Sequence, residues 1–115
     1  TILYTDYFLS KVIELLKDNS KDSDTAMLYV SDHGESLGEG GLYLHGMPYF
    51  MAPDEQIDVA AFMWLDDSLS ELFDKKIIKE KALLPQTHDS LFHTLLGLMD
   101  IETRLYQKNL DLTAK

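Results

Sequence analysis

An aspartate and a histidine stand side by side at Asp32 and His33, inside the string Ser31-Asp32-His33-Gly34-Glu35-Ser36-Leu37-Gly38-Glu39. Oxygen and imidazole nitrogen donors suit a divalent cation such as zinc. The pair follows directly on the apolar run Ala26-Met27-Leu28-Tyr29-Val30, and a strand end is where open α/β sheets place their chemistry. Neighbours in an extended strand point to opposite faces, so both can grip one ion only where the strand gives way to a turn. Gly34 supplies the backbone freedom for that bend. Another histidine, His45, follows in Tyr43-Leu44-His45-Gly46-Met47-Pro48-Tyr49. A neutral imidazole there can bind a second metal, orient a phosphate or donate a proton, and a loop histidine bonded to backbone is the ordinary alternative. Together these segments point to a metal-dependent, phosphoryl-type site. Zinc takes about four ligands, so a pair of adjacent donors makes only part of it.

Read as a dipeptide alone, Asp32-His33 is better explained as a capping aspartate beside a surface histidine; the longer string reverses that preference for the family reason given below. Glu35 and Glu39 are read as solvated charge or helix N-terminal decoration, with an outer role for Glu35 in holding a ligand histidine as the alternative. His88 and His93 are five positions apart and do not share a helix face as an i, i+4 pair does. They are expected at the start and on the surface of a terminal helix. The glycine cluster is not a phosphate cradle of the P-loop type, because no Gly-Lys-Ser/Thr follows it.

The elements that must position these groups can be read from periodicity. Positions 1–17 show a helical repeat, with Leu9, Val12, Ile13 and Leu16 on one face, extended backward by Phe8, Thr5 and Ile2. The polar stretch 18–24 predicts a surface loop. Ala26 to Val30 and Val59 to Leu65 are short continuous apolar runs, the pattern of strands buried on both faces and usually parallel. Positions 32–56 between them are glycine-rich and irregular, and a loop of that length in a small domain is usually functional or disordered. Its aromatic content favours an ordered functional loop. Ser68-Leu69-Ser70-Glu71 has the form of a capping box. Positions 75–81 are charged and exposed. Thr87 is expected to cap a last helix from His88 to about Met99, with Leu91, Phe92, Leu95, Leu96 and Met99 facing the core. The order helix, strand, long loop, strand, helix, helix is α/β, and two strands alone make a poor sheet. The expectation is therefore the C-terminal part of a larger α/β sandwich. A start at Thr1 without an initiator methionine fits that expectation.

Composition narrows the function classes. The chain has 115 residues, 45% of them hydrophobic, enough for one small domain with a core. Ten basic residues stand against twenty acidic ones, a net charge of −10. That balance disfavours nucleic acid as a partner and disfavours docking on an anionic membrane through this surface. The absence of cysteine excludes disulfides and thiolate zinc sites. No apolar run approaches the roughly 20 residues that a spanning helix needs.

Several separate blocks of the chain resemble the bacterial phosphoethanolamine transferases, the lipid A-modifying enzymes linked to polymyxin resistance. These are Thr1-Ile2-Leu3-Tyr4-Thr5-Asp6, the string from Ser31 to Glu39, Tyr43-Leu44-His45-Gly46-Met47-Pro48-Tyr49, Ala52-Pro53-Asp54-Glu55-Gln56, and His88-Asp89-Ser90-Leu91-Phe92-His93-Thr94-Leu95-Leu96-Gly97. The resemblance implies the C-terminal portion of an alkaline phosphatase/sulfatase-like α/β/α sandwich, with positions 1–115 forming part of a periplasmic catalytic domain tethered to the inner membrane by N-terminal helices. In that family a threonine nucleophile takes phosphoethanolamine from phosphatidylethanolamine and passes it to an acceptor, usually a lipid A phosphate. Asp32 and His33 match the family's zinc-ligand pair, and His45 matches a histidine near the transferred group or a second zinc.

The block that carries the nucleophilic threonine has no counterpart here, and neither Thr5 nor Thr25 lies in a matching context, so no catalytic nucleophile is assigned to this chain. Ala60 stands where a proline is common in the family. The resemblance implies an inactive fragment if the chain is isolated. Two further readings stay open: a related sulfatase-type or phosphodiesterase-type hydrolase with water as acceptor, and a non-catalytic metal-binding module.

Overall fold

A computed structural model describes residues 2–115. Thr1, which opens both the expected helix and the first matching block, lies outside the described residues. The chain divides into two compact units, 1–65 and 66–115, and its fold class is mixed helix and sheet, as expected from the sequence.

The first unit opens with helix α1, Ile2–Asn19. Leu9, Val12, Ile13 and Leu16 are its half-buried residues, the face that the helical repeat marked, whereas Ile2, Thr5 and Phe8 are exposed. The Thr25 hydroxyl donates to the Leu16 carbonyl at 3.3 Å and ties the helix to the start of strand β1, Ala26–Val30. β1 pairs with β4, Ala61–Leu65, in the register Ala26 opposite Leu65 through Val30 opposite Ala61. The pairing is antiparallel, which corrects the parallel expectation. An apolar run carries no direction, and the 30 residues between the strands are long enough for either connection. The expected burial on both faces is corrected as well, since both strands are half-buried at most and Ala26, Ala61 and Phe62 are exposed. Tyr29 and Phe62 face each other across the pair with ring centroids 5.4 Å apart.

Between the two strands the chain is ordered in short pieces. Strands β2, Ser36–Leu37, and β3, Tyr43–Leu44, form a small antiparallel hairpin with Ser36 opposite Leu44. Its tip is a 3-10 turn at Glu39–Gly41. The Glu39 carboxylate accepts from the Leu37 amide at 2.7 Å and closes that tip. Hydrogen bonds from its own amide, then from that of Leu37, hold its pKa below the ordinary range. A single helical turn, α2, follows at Asp54–Ile57.

The second unit contains α3, Asp67–Leu72, α4, Lys75–Ala82, and α5, Asp89–Leu98. Asp66 caps α3, its side chain accepting from the Leu69 amide at 2.9 Å, so the cap is two residues ahead of the expected Ser68. The charged stretch after it is helical, capped by Asp74 through the Lys76 amide at 2.9 Å. On α5 the expected core is corrected. The buried residues are Ser90, His93 and Thr94, while Phe92, Leu95 and Met99 are exposed. Ser90, His93, Thr94 and Gly97 share one face, and the C-terminal segment binds that face through polar contacts. The His93 ring accepts from the Gln107 amide at 3.1 Å, and the Thr94 hydroxyl accepts from the Leu112 amide at 3.1 Å. A β-carbon at position 97 would meet Asp111 Oδ2 and Thr113 Oγ1, so glycine permits this close approach. His93, expected on the surface, is thus a buried structural acceptor. Among the described residues no helix is long and apolar enough to cross a membrane.

Candidate metal centre

The β1–β4 ladder runs one step past its strands, the Ser31 amide donating to the Ala60 carbonyl at 3.0 Å. Asp32 and His33 come next, where the pairing stops. Asp32 Oδ1 accepts from the His33 amide at 3.1 Å and lies 4.0 Å from His33 Nε2, with the aspartate side chain 90% exposed. The turn at Gly34 lies directly against α2. Its amide donates to the Gln56 carbonyl at 3.2 Å, and a β-carbon there would collide with the backbone carbonyls of Glu55 and Asp58. Gly34 is required by this close approach.

The hairpin then brings the second histidine back. Continued one step outward from Ser36 opposite Leu44, the β2–β3 register sets Glu35 opposite His45. Glu35 Oε2 and His45 Nδ1 are 2.9 Å apart. His45 sits between two left-handed residues, Leu44 at φ 70° and Gly46 at φ 96°. A leucine in that region is uncommon, and such backbone strain gathers at functional sites. The resulting bend stacks the His45 ring on that of His33, centroids 3.7 Å apart and planes tilted by 32°.

The partners of the two rings settle their tautomers. His33 Nδ1 lies 2.8 Å from the Gly34 carbonyl, which only accepts, so Nδ1 carries the proton. His45 Nδ1 faces the Glu35 carboxylate oxygen, again an acceptor. In its neutral form each imidazole then has Nε2 as its lone-pair nitrogen, the arrangement that metal-binding histidines adopt. Donor atoms of His33, Glu35 and His45 all lie within 4.8 Å of one another. Nitrogen and oxygen donors without thiolate fit zinc in an open site.

The structure thus gathers two of the three residues marked in the sequence, His33 and His45, and sets the Asp32 carboxylate beside the first. It adds Glu35, for which solvated charge or helix N-terminal decoration is the expected reading and the hold on a ligand histidine the alternative. Glu35 reaches His45 through the β2–β3 register, which no local sequence signal announces. Thr5 and Thr25 lie on α1 and just before β1, outside the cluster.

With this geometry in hand, the class follows. The profile of the sulfatase family matches residues 1–101, and the chain belongs to that family. It is 44% identical over 110 residues to phosphoethanolamine transferase EptA of Escherichia coli strain K12, a match that covers 93% of this chain and 20% of that protein. Among solved structures, the soluble domain of lipooligosaccharide phosphoethanolamine transferase A from Neisseria meningitidis superposes with a TM-score of 0.89 at 42% identity, covering 98% of this chain and 35% of that one. The C-terminal periplasmic domain of phosphoethanolamine transferase EptC from Campylobacter jejuni gives 0.85 at 45% identity, covering 97% and 35%. The chain therefore spans about a fifth of the length of its curated relative and about a third of the solved domains.

Proposed function

We propose that this chain supplies part of the catalytic centre of a zinc-dependent phosphoethanolamine transferase of the cell envelope. The observation that carries the reading is the convergence of His33 and His45, each with Nδ1 tied to an acceptor and Nε2 left as a donor. Asp32 and His33 are the proposed zinc ligands. His45, steadied by Glu35, is proposed to face the transferred group or a second zinc. Zinc bound there supplies Lewis-acid polarisation of phosphoryl oxygens and offsets charge that builds in the transition state. The chain's own groups orient: the stacking of the two rings holds them side by side, and Glu35 keeps the His45 proton on Nδ1.

The donor is proposed to be phosphatidylethanolamine and the acceptor lipid A or a related envelope lipid. The lipooligosaccharide named for the Neisseria relative supports that acceptor class. Transfer through a phosphorylated threonine, contributed by sequence that matches the remainder of the relatives, would divide one difficult step into two. The similarity to a periplasmic domain supports a periplasm-facing position on the inner membrane. The many large apolar side chains on the surface, among them Ile2, Leu3 and Phe50, support a place within a larger catalytic domain.

The test is an assay of the full-length protein with labelled phosphatidylethanolamine and lipid A. Labelled lipid A is the expected product. Free phosphoethanolamine without acceptor labelling would instead favour the hydrolase reading that sulfatase-family membership keeps open.

A further inference from the structure

We propose that Gln56 is the positioning residue of this centre, its carboxamide fastening together the two arms that carry Glu35 and His45. The proposal rests on the reading of the centre as a metal site only in what it says the positioning is for. Gln56 is buried, 8% exposed, on the single turn α2. Its Nε2 donates to Ser36 Oγ at 2.9 Å, and its Oε1 accepts from the Met47 amide at 3.3 Å. Ser36 is the residue after Glu35 and is 1% exposed; Met47 is two residues past His45. One side chain thus bridges the outgoing and returning arms of the loop, immediately beside the facing pair Glu35 and His45. The orientation of the amide is fixed by chemistry. Met47 presents an N–H, which only donates, so the atom facing it is the carbonyl oxygen.

The bridge is anchored at a third point. The Gln56 backbone carbonyl accepts from the Gly34 amide at 3.2 Å. Three points on the two arms, at 34, 36 and 47, therefore all bond to one residue, and that residue is set by its own amide donating to the Pro53 carbonyl at 2.9 Å. The hairpin beyond it has only two paired positions, too few to hold register by themselves. The left-handed Leu44 needs an outside restraint of this kind, because a strained backbone persists only where its surroundings hold it.

Gln56→Leu keeps the bulk of the side chain and removes both side-chain hydrogen bonds. Gln56→Glu keeps an acceptor for the Met47 amide and lets the Ser36 hydroxyl turn and donate. Each variant is made in the full-length protein. Two quantities are read: the nitrogen NMR signals of the His45 ring in the metal-free protein, and the affinity for zinc alone by chelator competition. The expected result for Gln56→Leu is loss of the Glu35-bonded Nδ1–H signature and a zinc affinity lowered by about 10- to 100-fold, with Gln56→Glu restoring most of both. If Gln56→Leu does not fold, Ser36→Ala removes one arm alone and is expected to shift both readouts in the same direction. A folded Gln56→Leu or Ser36→Ala with an unchanged His45 signal and unchanged affinity overturns the proposal. If the parent protein itself binds no zinc, the metal reading fails, and the His45 signal still decides the part played by Gln56.

Discussion

Glu35 Oε2 lies 2.9 Å from His45 Nδ1, and the two residues face each other one step beyond the β2–β3 ladder. Ten positions separate them in sequence. A carboxylate so placed does to His45 what the Gly34 carbonyl does to His33, holding the ring proton on Nδ1 and leaving Nε2 as a donor. The two histidines are thus prepared alike, one by backbone and one by a side chain.

Glu35→Gln tests that preparation. The amide keeps the shape of the carboxylate but exchanges a charge-assisted hydrogen bond for a neutral one, and it is free to present its NH2 to the ring. Zinc affinity and transfer activity should both fall, by about 10- to 100-fold. Chelator competition on the full-length protein reads the first and a lipid-labelling assay the second. Unchanged values for both would remove Glu35 from the account.

Gly34→Ala tests the packing of the turn on α2. The new β-carbon would meet two backbone carbonyls, those of Glu55 and Asp58, and neither can swing aside as a side chain could. Overpacking of this kind costs about 1–3 kcal/mol. Chemical denaturation should show a lower midpoint with an unchanged slope, and zinc affinity should fall with it because Gln56 moves as well.

Asp66→Ala tests the second unit locally. The carboxylate accepts from the Leu69 amide at 2.9 Å and from the Ser68 hydroxyl at 2.7 Å. Loss of such a cap costs about 0.5–2 kcal/mol. Stability should drop by that amount while zinc affinity stays at the parent value.

Alkaline pH should loosen the second unit through Tyr106. Its hydroxyl donates to the buried Asp111 carboxylate at 2.6 Å. That hydrogen bond, then burial, then the charge of Asp111 push the phenol from its ordinary 10.0 up to about 12. The folded state therefore favours the protonated phenol. The stabilisation is complete below pH 10 and is lost as the pH rises through about 12. A stability profile across that window, with tyrosinate absorbance as the titration signal, should show the loss, and Tyr106→Phe should flatten it.

How far the sequence disclosed this structure can be argued residue by residue. The face of α1 was legible because Leu9, Val12, Ile13 and Leu16 repeat at the helical period, and both long strands were legible as apolar runs between turn signals. Strand direction was not, because Ala26–Val30 and Ala61–Leu65 would read the same in either sense. On α5 the apolar stripe misled: Phe92, Leu95 and Met99 lie outward, and the inward face is the polar Ser90, His93 and Thr94. Nothing local to those residues announces that the last segment, through Gln107 and Leu112, will satisfy them. Likewise Asp32, His33 and His45 stood out by type and family resemblance. Glu35 and Gln56 did not, since their parts depend on a hairpin register and on a bridge across 20 positions that no spacing rule encodes.

The most direct test of the central claim is zinc binding by the full-length protein carrying both Asp32→Ala and His33→Ala, compared with the parent under the same metal-limited conditions. If these side chains grip the ion, the parent retains tightly bound zinc and the double variant loses it, along with transfer activity, while still unfolding cooperatively. A folded double variant that keeps both its zinc and its turnover would contradict the account.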